Sequence, residues 1–397
     1  MFFFKNTRDI DEVDLGILKK VITQLETPRD QRPLGSGWLS GSLALLASIA
    51  GFLIVLLRWF PETFSYPEIA FIQDSGVVTA FLRFVLLSGY ALSLLSLILS
   101  RHKSLGWTAL AVSVVASLMA TTQPQIASDA QQSFYFGLDY FIINVLVVGF
   151  LFVPLERFFP ARGEQTVFRA EWQEDMFYYL VSSMLVQVLG FITLAPSNYV
   201  NAQIPLDDVR IYIVNLPFWL QVVIIMMATD FVQYWVHRAF HTFPVLWRFH
   251  SIHHSTKKMD WLAGARMHFV EIAVLRGLTA VPMFTLGFDP AAIQAYLLIV
   301  YFYSSFIHAN IGWKMGFLER FFVTPRFHHW HHGSDRDAID INYASHFPIY
   351  DWLFGTHHLP ETEWPENYGV VGDTVPRGYW RQFVYPFLKP EKKEPAE

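Results

Sequence analysis

The chain has 397 residues, 53% of them hydrophobic and 17% aromatic but only 16% charged, where an average soluble domain is nearer a quarter charged. That balance, with a positive mean hydropathy, points to a polytopic membrane protein, and a net charge of −5 argues against a nucleic-acid partner. With no cysteine in the chain, disulfides, thiolate catalysis, cysteine-type zinc sites and iron–sulfur clusters are excluded.

The opening MFFFKNTRDIDEVDLGILKK lacks the basic start and apolar stretch of a signal peptide. Val13, Ile17, Val21 and Leu25 recur at helical spacing among charges, as do Leu18 and Ile22. This predicts a short amphipathic helix lying on a membrane surface. A bilayer core takes about 20 mostly apolar residues in helix. Such stretches fall at 38–58, 77–99, 105–121, 137–154, 174–195, 212–236, 269–287 and 290–308. The third is short and the last two turn tightly at GFDP. The expected fold is all-α and polytopic, with seven or eight transmembrane helices.

Lysine and arginine orient these spans. Lys5, Arg8, Lys19, Lys20, Arg29 and Arg32 precede the first, and the loop after it has none beyond Arg58. Arg101 and Lys103 follow the second span, and 122–136 has no basic residue. Residues 155–173 hold Arg157, Arg162 and Arg169, whereas 196–211 hold only Arg210. Residues 237–268 hold Arg238, Arg248, Lys257, Lys258 and Arg266, and GFDP has none. The alternation fits eight spans with both termini cytoplasmic. Four segments are expected: a cytoplasmic amphipathic stretch over 1–37, extra N-terminal transmembrane helices over 38–136, a histidine-bearing region over 137–375, and a tail over 376–397 that ends in the disordered-looking LKPEKKEPAE.

The 15 histidines are not scattered. DFVQYWVHRAFH carries His237 and His241, FHSIHH carries His250, His253 and His254, FIHAN carries His308, and PRFHHWHH carries His328, His329, His331 and His332. Residues three and four apart share a helix face, so each box projects its histidines together, with His329 off the face. The topology puts all of them on the cytoplasmic side, as a histidine-rich helical cap. Imidazole suits iron, copper and zinc, and one ion takes about four to six donors. Eight histidines in three boxes, with His308, are too many for one metal and right for two. Two redox-active metals can share the electrons that activate dioxygen. His346, His357 and His358 lack the spacing and are left out.

Carboxylates stand nearby. Asp230 is seven residues before His237 and falls on the same face; near a span end it needs a partner, either a ligand histidine or an arginine such as Arg238 or Arg266. Glu271 follows His268 by three residues and can reach the same cluster. Trp235, Trp247, Trp261 and Trp330 are expected to anchor the interface or pack beside the site.

At these residues the chain resembles the fatty acid hydroxylase / sterol desaturase superfamily of membrane di-iron oxygenases. The resemblance covers roughly 140–375 and rests on DFVQYWVHRAFH, LWRFHSIHHSTKKMDWLAGARMHFVE, HANIG, TPRFHHWHH, NYA and DWLFGTHHLP. It implies His237, His241, His250, His253, His254, His328, His331 and His332 as metal ligands, and His308 as a ninth. His268 matches a recurrent histidine of the sterol desaturase branch, as a ligand or as a residue shaping the site, although Phe269 stands where the family often has proline. Asp230, Glu271 and Asn310 are implied in supporting catalytic roles, Asn310 through water.

The resemblance further implies two iron ions, with zinc only as a substitute because it has no redox chemistry. Dioxygen and electrons from an external carrier complete the reaction. The substrate is expected to be a lipid of sterol, fatty acyl or alkylglycerol type, hydroxylated or desaturated, which enters from the bilayer between spans five to eight. No cytochrome b5-like His-Pro-Gly-Gly segment is present. A separate electron-transfer protein is therefore expected, cytochrome b5-like or a ferredoxin with its reductase, docking on the basic cytoplasmic loops. A non-catalytic metal-binding or metal-transport protein would instead need polar groups through the membrane midplane. A bis-histidine haem protein would need histidine pairs on facing helices.

Overall fold

Helices occupy all eight apolar stretches. The computed structural model describes residues 15–28, 31–33, 35–60, 76–121, 138–372 and 374–388. Among these are helices, short 3-10 turns and one isolated bridge between Gly333 and Tyr368, with no strand. The chain divides into two units, Met1–Val167 and Phe168–Glu397. The boundary expected at 136 lies outside the described residues, and the helix after it, Leu138–Phe158, falls in the first unit. The end of the expected tail, 389–397, also lies outside them.

The first unit holds α1 (Leu15–Leu25), α2 (Trp38–Trp59), α3 (Gly76–Leu99), α4 (Ser104–Thr121) and α5 (Leu138–Phe158). Small residues let α2, α3 and α4 approach closely. A Cβ on Gly89 would sit 2.6 Å from Ser113 Oγ and 2.9 Å from Ser48 Oγ, and those two hydroxyls meet at 2.8 Å. Helix α1 is docked rather than lying free on a surface. Val21 packs against Trp38, Leu45, Leu105 and Ala109, and Gln24 Oε1 accepts from Ser104 Oγ and Leu105 N at 2.6 and 3.0 Å. Ile17 and Leu18 stay exposed, and Val13 lies outside the described residues.

The second unit contains α6 (Trp172–Met184), α7 (Val186–Gln203), α8 (Asp207–Val214), α9 (Phe218–Thr242), α10 (Pro244–His254), α11 (Phe269–Thr285), α12 (Pro290–His308), α13 (Pro325–His331), α14 (Ile349–Leu353) and α15 (Tyr379–Val384). Among the described residues, four helices are long and apolar enough to cross a membrane: α2, α3, α9 and α12. The pair α6–α7 is bent by 58° and would be a fifth if it is one broken span. The α4 stretch is apolar but short. Helix α11 has 17 residues with Pro282 inside and carries Glu271 and Arg276. The stretch expected at 212–236 is displaced, because Pro217 stands at the N-cap of α9 and the residues before it form α8. His237 and His241 consequently lie in the last two turns of the span.

Helices α9, α11 and α12 pack through Val222, Ile225, Met226, Ala280, Met283, Ala292 and Tyr296. A second core of Tyr234, Ile307, Val323, Phe327, Tyr343, Ala344 and Tyr350 lies toward the C-terminal ends of α9 and α12. Both helices end at histidine clusters, which explains why the boxes share one end of the bundle.

Candidate metal centre

Nine histidines converge there in two groups, and within each group the ligand nitrogens lie within 4.8 Å of one another. His237, His241, His250, His254 and His331 form the first; His253, His308, His328 and His332 form the second. Each His-x-x-His-His box is divided between them. From α10, His250 and His254 join the first group and His253 the second; from the α13 box, His331 joins the first, and His328 and His332 the second. His329, off the shared face, turns away, its ring nitrogens at 3.0 Å from the His308 carbonyl and 2.9 Å from Tyr368 Oη.

The Nε2 atoms face inward. His250 Nε2 lies 3.0 Å from that of His237 and 3.1 Å from that of His254. His308 Nε2 lies 3.3 Å from that of His253 and 3.0 Å from that of His328, which is 3.2 Å from that of His332. Six Nδ1 atoms face outward to oxygen. His237 donates to the Tyr343 carbonyl at 2.8 Å, His331 to the Ile341 carbonyl at 2.8 Å, His253 to the Arg266 carbonyl at 3.1 Å and His308 to the Ser304 carbonyl at 2.7 Å. His250 meets Glu271 Oε1 at 2.5 Å, and His241 meets Asp340 Oδ1 at 3.3 Å.

An imidazole whose proton sits on Nδ1 presents a bare lone pair at Nε2. Lone pairs facing one another at these distances cannot bond, and Nε2 of His241 and His331 is buried without a hydrogen-bond partner among the described residues. A cation within each group satisfies all of these atoms, so the donor set fits two metal ions. Burial first, then the neighbouring imidazoles, hold His250, His254, His328 and His332 well below the usual histidine range. The same causes, opposed by a backbone hydrogen bond, hold His253 and His331 there too. They are neutral, the form that binds metal. Glu271 and Asp340, the carboxylates that touch these rings, are both on the first group. Trp247 packs beside it, 5.0 Å from the ring of His241 and 5.4 Å from that of His254.

The structure brings together nine of the ten expected ligands. His268 joins neither group. Its Nδ1 caps α11 by accepting from Val270 N, its Nε2 lies 3.1 Å from the Phe383 carbonyl, and its ring stacks on Phe383. With both nitrogens engaged it shapes the C-terminal packing. Glu271 reaches the cluster as expected. Asp230 contacts neither a ligand nor an arginine; it accepts from the backbone N–H groups of Ser345, His346 and Phe347. Asn310 is buried just beyond α12.

Sequence reasoning missed five of the six outer partners. Four are backbone carbonyls, which no side-chain pattern reports, and Asp340 stands in an ordinary polar loop. It also missed a buried network in which Arg169 forks onto Asp260 at 2.8 Å and bonds Asp175, while Arg266 bonds Asp175 and reaches Glu171 at 3.3 Å. That network clamps the segment whose Arg266 carbonyl holds His253.

The fatty acid hydroxylase family model matches residues 222–356, which contain all nine histidines. Ornithine lipid hydroxylase OlsE of Rhizobium tropici is 32% identical over 181 residues, 45% of this chain and 54% of that protein. Alkylglycerol monooxygenase of Xenopus tropicalis is 29% identical over 178 residues, 45% of this chain and 37% of that protein. Protein CER1-like 2 of Arabidopsis thaliana is 29% identical over 159 residues, 36% of this chain and 25% of that protein. The chain thus spans about half the length, or less, of these curated relatives. No solved structure matches it. The matched stretch encloses both histidine groups, and these likenesses support a relation of this region to the fatty acid hydroxylase / sterol desaturase superfamily.

Proposed function

We propose that the chain is a membrane-bound, dioxygen-dependent di-iron oxidoreductase that hydroxylates or desaturates a lipid. The observation that carries this reading is the pair of buried histidine groups, five and four rings, at the ends of two apolar helices. Two irons bound there supply the activation of dioxygen needed to oxidise an unactivated C–H bond. The chain supplies the rest. Carbonyls and carboxylates at Nδ1 hold the outer proton of six of the nine rings and aim Nε2 inward. Burial of the nine rings keeps bulk water away from the reaction.

A lipid substrate is supported by the apolar spans and by the printed activities of the ornithine lipid and alkylglycerol relatives. The distribution of basic residues supports a site on the cytoplasmic face of a seven- or eight-span bundle with both termini on that side. Electrons come from a separate carrier docking there. Asn310, buried beside the end of α12, lies where a water could link it to the second group.

Protein purified anaerobically from iron-replete cells should contain two irons per chain and show no haem absorption. One non-redox metal per chain would sink the proposal in favour of a non-catalytic metal protein. Lipid profiles of cells with and without the gene should differ, and His253→Ala should fail to restore the missing product. Restoration by that variant would reject the di-iron mechanism.

A further inference from the structure

Five consecutive backbone N–H groups, Tyr343 to Phe347, donate to two buried carboxylates. Asp351 accepts from Tyr343 N at 2.7 Å and Ala344 N at 2.9 Å. Asp230 accepts from Ser345, His346 and Phe347 at 2.8, 3.2 and 2.8 Å. Both carboxylates are fully shielded from solvent. Thr356 donates its hydroxyl to Asp351 at 2.7 Å and its amide to the Asp351 carbonyl at 2.8 Å.

The segment just before this run faces the first histidine group. A peptide unit is planar and trans, so its C=O and N–H point in opposite directions. In the 343–344 peptide, the carbonyl accepts from His237 and the N–H donates to Asp351. In the 341–342 peptide, the carbonyl accepts from His331 and the N–H donates to the Thr356 carbonyl at 2.9 Å. Asp351 and its tethered Thr356 therefore hold the far sides of both peptide planes that orient ligand rings. Asp340 adds its carboxylate to His241.

The backbone between is over-determined. Asp340 and Asn342 both have φ of 57°, in the left-handed region. Asn342 is pinned there, donating to the Phe327 and His358 carbonyls at 3.1 and 2.7 Å and accepting from His358 N at 2.8 Å. Unfavourable backbone held this firmly needs surroundings that enforce it. Among the described residues, neither Asp351 nor Thr356 holds a peptide that orients a ring of the second group. Its rings use the Arg266 and Ser304 carbonyls, and Nδ1 of His328 and His332 is buried with no partner among the described residues.

We infer that Asp351, acting through Thr356 and two peptide planes, is a positioning residue for His237 and His331, and so for the five-histidine metal site alone. The inference rests on reading the two groups as two metal sites. Outer partners of metal-bound histidines typically govern about 10–100-fold in metal affinity.

The test is metal per chain in the full-length, detergent-purified protein after dialysis against graded chelator, with circular dichroism and elution volume as folding controls. Wild type should hold two metals; a single metal would overturn the two-site reading itself. D351N should lose one metal at about 10–100-fold lower chelator. D351N/H331A should lose no more than H331A, and D351N/H332A should lose both. Wild-type retention in D351N, equal loss of both metals, or an empty D351N/H331A would each overturn the inference. If D351N is not recovered folded, T356V replaces it; it should lose the same metal at several-fold lower chelator, and unchanged retention would overturn the inference.

Discussion

Glu271 Oε1 and His250 Nδ1 meet at 2.5 Å, joining the first turn of α11 to the first histidine of the α10 box. The pair fixes the His250 proton on the outer nitrogen and leaves Nε2 for a metal. Glu271→Ala is expected to weaken one metal by about 10–100-fold. Glu271→Gln, which keeps a neutral acceptor, should weaken it less. Chelator competition on the two variants checks the order; equal retention by Ala and wild type would remove Glu271 from the site.

Gly264 lies against His308. A Cβ there would sit 2.9 Å from Nδ1 and 3.1 Å from Cγ of that ring, too close for either to stay in place. Gly264→Ala should push His308 out of the four-histidine group and lower the affinity of that metal by about tenfold or more, on the scale of losing an outer partner. The five-histidine metal should remain. Metal counts for G264A and G264A/H331A distinguish the two sites.

His268 is expected to behave as a structural residue. His268→Ala removes the α11 cap and the stack on Phe383, which should cost about 1 kcal/mol in thermal unfolding. Both metals should stay bound. Loss of a metal in a variant that melts like wild type would return His268 to the ligand set.

Arg169 sits between Asp175 and Asp260, all three buried. Removing the guanidinium leaves two buried carboxylates short of a partner, which typically costs about 3–5 kcal/mol. Arg169→Met should lower the melting temperature accordingly. Arg169→Lys, which keeps the charge but not the fork, should recover only part of the loss.

Burial pushes the Asp351 carboxyl up to about 6, against the bonds from Thr356, Ala344 and Tyr343. Between its ordinary value of 3.8 and about 6, the folded protein holds a proton that the unfolded chain has released. Its contribution to stability therefore falls as pH rises through that window and is flat above it. Asp351→Asn has no such dependence. Denaturation of metal-free protein should show the variant gaining on wild type, by on the order of 3 kcal/mol, from about pH 4 to about pH 6. A constant gap would show that Asp351 does not titrate there. A carboxylate that costs stability in its ionised form is understandable if its task is geometry.

The histidine spacing made eight of the nine clustered histidines legible, because a 3.6-residue period puts residues three and four apart on one face, and His308, alone in its segment, was implied by the family resemblance. The alternation of lysine and arginine across the apolar stretches predicted their common end of the bundle. The spacing could not show that each box is divided between two groups, since that depends on where α10 and α13 cross. His268 has the residue type of a ligand, but its place at the first turn of α11 gives both nitrogens other partners. The helix positions were legible from hydropathy, except where Pro217 moved a helix start and the α6–α7 bend broke an apolar run, but among the described residues only four of those helices are long and apolar enough to cross a membrane, five if the bent pair is one span.

Composition, apolar runs and histidine boxes alone thus determined an all-helical, membrane-type chain with a histidine-rich candidate metal centre. These are properties of side chains and of local period, which a sequence displays directly. Only the tertiary structure decided which oxygens hold six of the nine rings, because those oxygens are mostly peptide carbonyls and every residue has one. Whether the Tyr343 carbonyl faces His237 depends on the peptide plane, and that plane is held by Asp351 through the N–H of Ala344.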